Sequence, residues 1–259
     1  MIIDGKDYDE FISKEPLAKK YIKKLIGAAE FINNIDRYCL WLVGVPASEL
    51  RKMPLVMERI NKCRQMRLES SDIGTRRLAD APTLFRETNN YDTFIVIPSV
   101  SSERRMYIPI GFLDSDTIPT NAALIIPNAT LYHFGILTSS VHMAWVRAVC
   151  GRLKSDYRYS KDIVYNNFPW ADATDEQESV IDGLAQDVLD ARAESPNCSL
   201  ADLYDPLTMP PALLKAHRGL DKAVMKLYGF AGLSESEIVG GLMERYRGLM
   251  GRCMGKEYV

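Results

Sequence analysis

The chain lacks any Cys-x-x-Cys or Cys-x-x-His pair, and its five cysteines, Cys39, Cys63, Cys150, Cys198 and Cys253, form an odd, scattered set. That spacing excludes the common structural zinc frameworks and a closed set of disulfides, so reduced, mostly packed thiols are expected. No run of 18 apolar residues occurs, and the opening MIIDGKDYDEF is acidic where a signal peptide would need basic charge before an apolar stretch. The expectation is a soluble, cytoplasmic protein without a membrane partner. There is also no internal repeat and no low-complexity tract.

Catalytic signatures are missing as well. The sequence has no GxGxxG or Walker A loop, no HExxH, no GxSxG, and no Asn/Asp-Pro-Pro-aromatic tetrapeptide of the kind that orients an adenine amino group for methyl transfer. Catalytic residues, metals and cofactors are therefore not expected within the chain.

What is present is a chain of 259 residues, 47% hydrophobic, which suffices to bury one or two cores. The net charge of −2 conceals an asymmetry: Arg51 to Trp170 holds 16 Lys and Arg against 11 Asp and Glu, whereas Ala171 to Val259 holds 9 against 15. Lysine and arginine neutralise phosphates, so the first stretch suits a polyanion and the second does not. A solvated face can carry the same imbalance.

Local patterns divide the chain in two. PLAKKYIKK (16–24) reads as a short basic helix and YCLWLVGV (38–45) as a strand; a helix capped by Ser48 follows, with an apolar stripe through Leu50, Met53, Leu55 to Met57 and Ile60. TFIVIPSV, RRMYIPIGFL and AALIIP, between 93 and 126, are short β-rich runs broken by Pro, Asn, Asp and Ser. LYHFGIL extends the last of them. From Thr138 the pattern is helical again, with Val141, Trp145 and Val149 every fourth residue. Beyond Phe168-Pro169-Trp170 the chain reads as helices: one from Asp172 or Thr174 to Glu194, one opened by Pro210-Pro211 through Tyr228, and one capped by Ser234. The expected fold is α+β: a mixed α/β domain over 1–171, around a mostly antiparallel sheet from the 38–45, 93–98, 106–112 and 123–136 runs, then a small all-helical domain over 172–259.

His133 and His142, with Glu103 and Asp156 elsewhere, match no metal-ligand spacing, and His133 reads as an ordinary surface or polar-core residue. A hydrolase built on His142 with Ser139 or Ser140 has no identifiable acid partner or oxyanion hole. His142 and Ser140 do lie at a helix start whose other side, Val141 and Trp145, faces the core; small polar side chains there can reach phosphates or base edges. An ordinary capped helix is the alternative. Two loop clusters interleave hydroxyls, guanidinium groups and rings, Ser101 to Arg105 and Arg152 to Lys161, a mixture suited to phosphate contacts and base stacking and equally to a solvated loop.

Taken together, GAAEFINNIDRYCLWL, IPSVSSERRMYIPIGFL, LYHFGILTSSVHMAWVRAVCGRLKSDYRYSKDIVYNNFPW and SLADLYDPLTMPPALLKAHRGLDKAV resemble the MmeI-like class of adenine-N6 DNA methyltransferases, single-chain type IIL restriction–modification enzymes. The resemblance covers most of residues 20–228. It implies target recognition of double-stranded DNA by residues from about 20 to 170 and a C-terminal helical domain after them. It also implies an upstream methyltransferase domain of the same polypeptide that holds S-adenosylmethionine and the catalytic motif. In that class the side chains that read bases vary among members. The matching slots here offer Ser140, His142, Glu87 and Arg105 as base-reading candidates, and Arg104, Arg152, Lys154, Arg158, Tyr159 and Ser160 as DNA-backbone candidates. The competing implication is a helical interaction module of the same enzyme that does not touch DNA.

Overall fold

The computed structural model describes the backbone of residues 1–254 and the side chains of residues 1–251, which leaves the side chain of Cys253 outside the described set. Two compact units are present. One comprises Met1–Ile26, Ile35–Asp92 and Asp114–Thr120; the other comprises Gly27–Asn34, Thr93–Leu113 and the chain from Asn121 onward.

In chain order the strands are β1 (Ile2–Asp4), β2 (Ile22–Ile26), β3 (Arg37–Leu40), β4 (Thr93–Pro98), β5 (Val100–Ser101), β6 (Gly111–Asp114), β7 (Thr117–Pro119), β8 (Ala123–Pro127), β9 (Gly151–Leu153) and β10 (Asp156–Arg158). The α-helices are α1 (Gly5–Lys14), α2 (Ala28–Asn33), α3 (Ala47–Leu50), α4 (Pro54–Leu68), α5 (Ile73–Arg77), α6 (Leu131–Leu137), α7 (Ser140–Val149), α8 (Asp175–Ala193), α9 (Leu200–Leu203), α10 (Pro211–Tyr228) and α11 (Glu235–Met254). The chain is thus mixed α/β with mostly antiparallel pairing, followed by a helical C-terminal region.

The first unit is built on the sheet β1-β3-β2-β7, in which only the β2–β7 pair is parallel. Strand side chains alternate between faces, and the buried residues follow. Ile3 and Leu40 join Phe11, Met53, Val56 and Ile60 in one cluster, while Leu25, Cys39 and Ile118 form a second, against which Trp41 and Phe85 pack. Burial pushes the Cys39 thiol up to about 12, so it is a packed, unreactive group. Packing of the thiols is less general than expected: Cys63 and Cys150 are half-buried and Cys198 is exposed.

Two local expectations fail in this unit. The 16–24 segment is a 3-10 turn over Pro16–Tyr21 followed by β2, because IKKLI pairs on both sides and sheet contacts override its helical propensity. Ser48 lies inside the short α3, and the long helix instead starts at Pro54, whose missing N–H costs nothing in the first turn.

The second unit holds two small sheets, β6-β4-β8 and β5-β10-β9, and helices α2 and α6 to α11. The single sheet expected from four runs is therefore divided among separate sheets. The 106–112 run supplies only the start of β6, since Pro109 has no N–H for a ladder. The strand over 123–136 is corrected too: β8 ends at Pro127, Asn128 turns the chain in the left-handed region at φ 54°, and LYHFGIL is helix α6. Thr130 and His133 cap that helix, with 2.8 Å between Thr130 Oγ1 and His133 Nδ1. His133 is thus a capping residue.

Helices α8 and α10 start where their capping residues predicted, and α7 starts at Ser140, just after Thr138. Ser139 accepts from the His142 N–H, Thr174 and Gln177 form a capping box, and Pro211 opens α10. Gly229, at φ 73°, ends α10 in the left-handed conformation that glycine adopts without strain. One core unites the β4 residues Ile95 and Ile97 with Phe134, Val141 and Trp145 and with Ile181, Leu213, Leu220, Val224 and Leu242 of the C-terminal helices. Gly135 permits a close approach of α6 to α8: a Cβ there would sit 2.7 Å from Ile181 Cγ2.

Candidate nucleic-acid interface

The basic clusters at 101–105 and 152–158 are brought together by the sheet β5-β10-β9. Strand β10 is central, with Tyr157 opposite both Ser101 and Arg152. Alternation turns Tyr157 into the core and leaves Arg158 exposed. A two-residue turn, Lys154-Ser155, joins β9 to β10, and Lys154 sits at its tip with φ 56°. The loop after β5 lies alongside: the Glu103 N–H faces Asp156 Oδ1 at 3.4 Å, and Glu103 Oε2 is 3.8 Å from the Arg152 guanidinium.

Charge here is one-sided. Arg104, Arg105, Arg152, Lys154 and Arg158 share this sheet and loop with two carboxylates, Glu103 and Asp156. Arg152 is partly committed, since its guanidinium lies 4.2 Å from the Tyr157 ring centroid and donates to the Ser155 carbonyl at 3.0 Å. Among the described residues, Arg104, Lys154 and Arg158 make no ion pair. Arg105 is half-buried, reaches Ser101 Oγ only at 3.5 Å, and has a buried Nε–H with no acceptor among the described residues. Burial lowers its pKa, opposed by Asp205 and Asp156. A buried donor left unmade is costly, and this Nε–H, having no accessible surface, is not itself offered to a ligand.

Other candidates fall elsewhere. His142 is fully buried, and the expectation that it stands on the exposed side of the helix start is corrected. Its Nε2 is 2.9 Å from Tyr159 Oη, its ring meets the Phe168 ring edge-on at 4.6 Å, and burial holds its pKa down at about 3. Tyr159 is buried likewise and its hydroxyl is taken by this bond, so it is not a surface group for a phosphate. Burial raises its pKa well above the usual range. With the Trp145 Nε1–H donating to the Val164 carbonyl at 3.0 Å, the pair braces α7 against the segment that follows β10. Ser160 is half-buried and its Oγ accepts from the Ile163 N–H at 3.2 Å. Ser140 is half-buried, its N–H donates to Asp221 Oδ1 at 2.7 Å, and its buried hydroxyl also lies against the Asp221 carboxylate. Glu87 is exposed, in the first unit, on the stretch after Phe85, whose ring stacks on Trp41 at 5.8 Å.

A buried polar chain that sequence reasoning does not reveal lies behind these groups. Arg192 donates to the Ile110 carbonyl at 2.6 Å and to Tyr204 Oη at 2.7 Å; Tyr204 Oη lies 2.8 Å from His217 Nε2; the His217 ring stacks on Tyr107 at 4.0 Å; and Tyr107 donates to Asp221 Oδ2 at 2.7 Å. On α10, His217 and Asp221 stand among Leu213, Leu220, Val224 and Tyr228, all on the buried stripe. Polar residues falling at apolar helical spacing were the available signal. Among the described residues no three His, Cys, Asp or Glu side chains gather as metal ligands would, and no helix is long and apolar enough to cross a membrane.

Residues 1–172 match the family described as MmeI, target recognition domain, and residues 173–253 match MmeI, C-terminal domain. The chain belongs to the MmeI target-recognition family. Among relatives of this chain, DNA methyltransferase A of Bacillus subtilis (strain 168) is 45% identical over 225 residues, covering 86% of this chain and 25% of that protein. A solved structure of the type IIL restriction-modification enzyme MmeI in complex with DNA matches with a TM-score of 0.92 at 45% identity, over 96% of this chain and 34% of that one. The chain therefore spans about a quarter of the curated relative and about a third of the solved MmeI chain.

Proposed function

We propose that this chain reads double-stranded DNA for a site-specific adenine-N6 methyltransferase of the restriction–modification type. The observation that carries the reading is the match, over 96% of the chain, to an enzyme solved in complex with DNA. The cationic loop and hairpin supply the means, since Arg104, Arg152, Lys154 and Arg158 can neutralise phosphates, while the half-buried Arg105 and Ser140 are kept as base-reading candidates. Glu87 is kept as a base-reading candidate on its exposure. His142, Tyr159 and Ser160 support the surface from behind. Residues 1–171 form the recognition region and 172–259 the helical one.

S-adenosylmethionine and the methyl transfer belong to an upstream methyltransferase domain of the same cytoplasmic polypeptide. The residues present do not suit that cofactor: there is no Gly-rich turn, and the 370 Å³ hollow between α8 and α10 is an open groove in which Val180, Ile181, Ala223 and Leu227 are flanked by Glu176 and Lys226. A second reading, a helical module that does not touch DNA, is favoured only by the acidity of residues 171–259, and it applies to that region alone.

Binding of this chain to duplex DNA at graded salt tests the proposal. Four phosphate contacts would give log K falling against log [salt] with a slope of about −3 to −4. Binding indifferent to salt, or none, would leave only the second reading.

A further inference from the structure

We propose that Asp221 is a positioning residue for DNA reading, a carboxylate that ties the Ser102–Met106 loop to the first turn of α7. The inference rests on the function proposed above. Its geometry is independent of that function.

The two oxygens of Asp221 are used separately. Oδ2 accepts the Tyr107 hydroxyl at 2.7 Å, and Oδ1 accepts the Ser140 N–H at 2.7 Å. Tyr107 is 2% exposed and closes the loop that carries Arg104 and Arg105. Its ring is held flat on His217, with centroids 4.0 Å apart and planes 15° from parallel, and His217 is fixed in turn by Tyr204. The loop end therefore has little freedom once the hydroxyl is bound. At the other oxygen, a carboxylate facing the first N–H of a ten-residue helix is favoured by the orphan donors and by the helix dipole. Ser139 Oγ already accepts the His142 N–H, so Asp221 satisfies a donor which that cap leaves over.

A buried carboxylate is a costly choice for packing alone. Asp221 is 9% exposed among Leu220, Val224 and Tyr107, and burial raises its pKa against the pull of its hydrogen bonds. Two directed bonds from one rigid helix are what an apolar residue could not provide. They fix the loop that carries Arg105 relative to Ser140 at the helix start, the two base-reading candidates on either side of the tie. Recognition of a base pair needs such groups held within about 0.5 Å of their working geometry.

Tyr107→Phe cuts the loop tie and leaves the helix cap. Asp221→Ala cuts both. Asp221→Asn preserves the shape, since its carbonyl can take the Ser140 N–H while its NH₂ donates to the Tyr107 oxygen. The full polypeptide would be compared by amide hydrogen exchange across residues 102–107 and by methylation of its own recognition duplex, found by methylome sequencing, against duplexes with one base pair changed. Tyr107→Phe and Asp221→Ala are expected to speed exchange in the loop about tenfold and to reduce discrimination about tenfold. Asp221→Asn should stay within about threefold of the parent on both, and Tyr107→Phe in an Asp221→Ala background should add nothing. If Asp221→Ala fails to fold, Tyr107→Phe and Asp221→Asn still decide the matter. Variants that lose thermal stability yet keep parental loop exchange and parental discrimination would overturn the proposal. A parent that does not discriminate among duplexes would instead refute DNA reading; unchanged exchange would then overturn the tether and accelerated exchange would uphold it.

Discussion

Acid should destabilise this protein partly through His142, and the size of the effect follows from its burial. The ring is wholly inaccessible, and burial lowers its pKa from 6.5 to about 3. Above pH 6.5 the ring is neutral in folded and unfolded chains, and its contribution to stability is fully present. Below 6.5 the unfolded ring takes up a proton that the folded ring refuses until about pH 3, so stability falls as pH falls through that window. The loss is about 2 kcal/mol at pH 5 and approaches about 5 kcal/mol at pH 3. His217, also held far below its ordinary value by burial and next by Arg192, acts in the same direction. In urea denaturation followed by tryptophan fluorescence, His142→Phe should therefore shrink the stability difference between pH 8 and pH 5 by about 2 kcal/mol without abolishing it. At pH 8 that variant should lose about 1–3 kcal/mol, because Tyr159 Oη is left buried without a partner. His142→Phe combined with Tyr159→Phe should recover most of this and keep the parental recognition site. A His142→Phe variant with the parent's pH dependence would refute the argument from burial, and a changed recognition site in the folded double variant would restore His142 as a reader.

Two further outcomes follow from the surface and the core. Lys154→Ala or Arg158→Ala should each flatten the salt slope of DNA binding by about one unit without changing the site read, with a smaller effect for the partly committed Arg152, as fluorescence anisotropy at several salt concentrations would show. Gly135→Ala would place a Cβ 2.7 Å from Ile181 Cγ2 and 3.3 Å from Ala185 Cβ, and should cost about 1–3 kcal/mol in thermal or urea unfolding.

The helices after residue 172 were legible because their signals are local: Thr174 with Gln177, Pro210-Pro211 and Ser234 stand where the elements start. The β-rich stretch was legible as strands but not as sheets, since pairing depends on partners far along the chain; β2 finds β7 some 90 residues later, as Lys24 opposite Thr117. LYHFGIL misled because a short apolar run suits a strand or a buried helix equally, and the deciding features, Asn128 and the Thr130–His133 cap, lie at its edge. At the site, the arginine clusters could be read as exposed charge. His142 could not be read as buried: its neighbours Val141 and Trp145 marked one face of α7 as core, but every residue from Val141 to Val146 is buried, because α11 packs against α7 while Tyr159 and Phe168 close on it from another side.

The same crowding argues that the recognition region cannot stand without the helices that follow it. Gly135 of α6 faces Ile181, Ala185 and Leu220, and the Phe134 ring lies under Arg192, all beyond residue 172. Arg192 and Asp221 satisfy the Ile110 carbonyl, the Tyr107 hydroxyl and the Ser140 N–H from that same side. Cutting the chain after 172 would therefore expose several large apolar side chains, at about 1.5–3 kcal/mol each, and strand three buried polar groups at about 1–3 kcal/mol each. The sum, on the order of 10 kcal/mol, matches the whole stability of an ordinary domain. A fragment of residues 1–172 should consequently show no cooperative unfolding of its β4–α7 part, with poorly dispersed amide signals for residues 93–172, while residues 175–251 added back in trans should restore dispersion if they fold. A fragment that melts sharply at the parent's temperature with full dispersion would show that the core shared across residue 172 is dispensable, and that the recognition region folds on its own contacts.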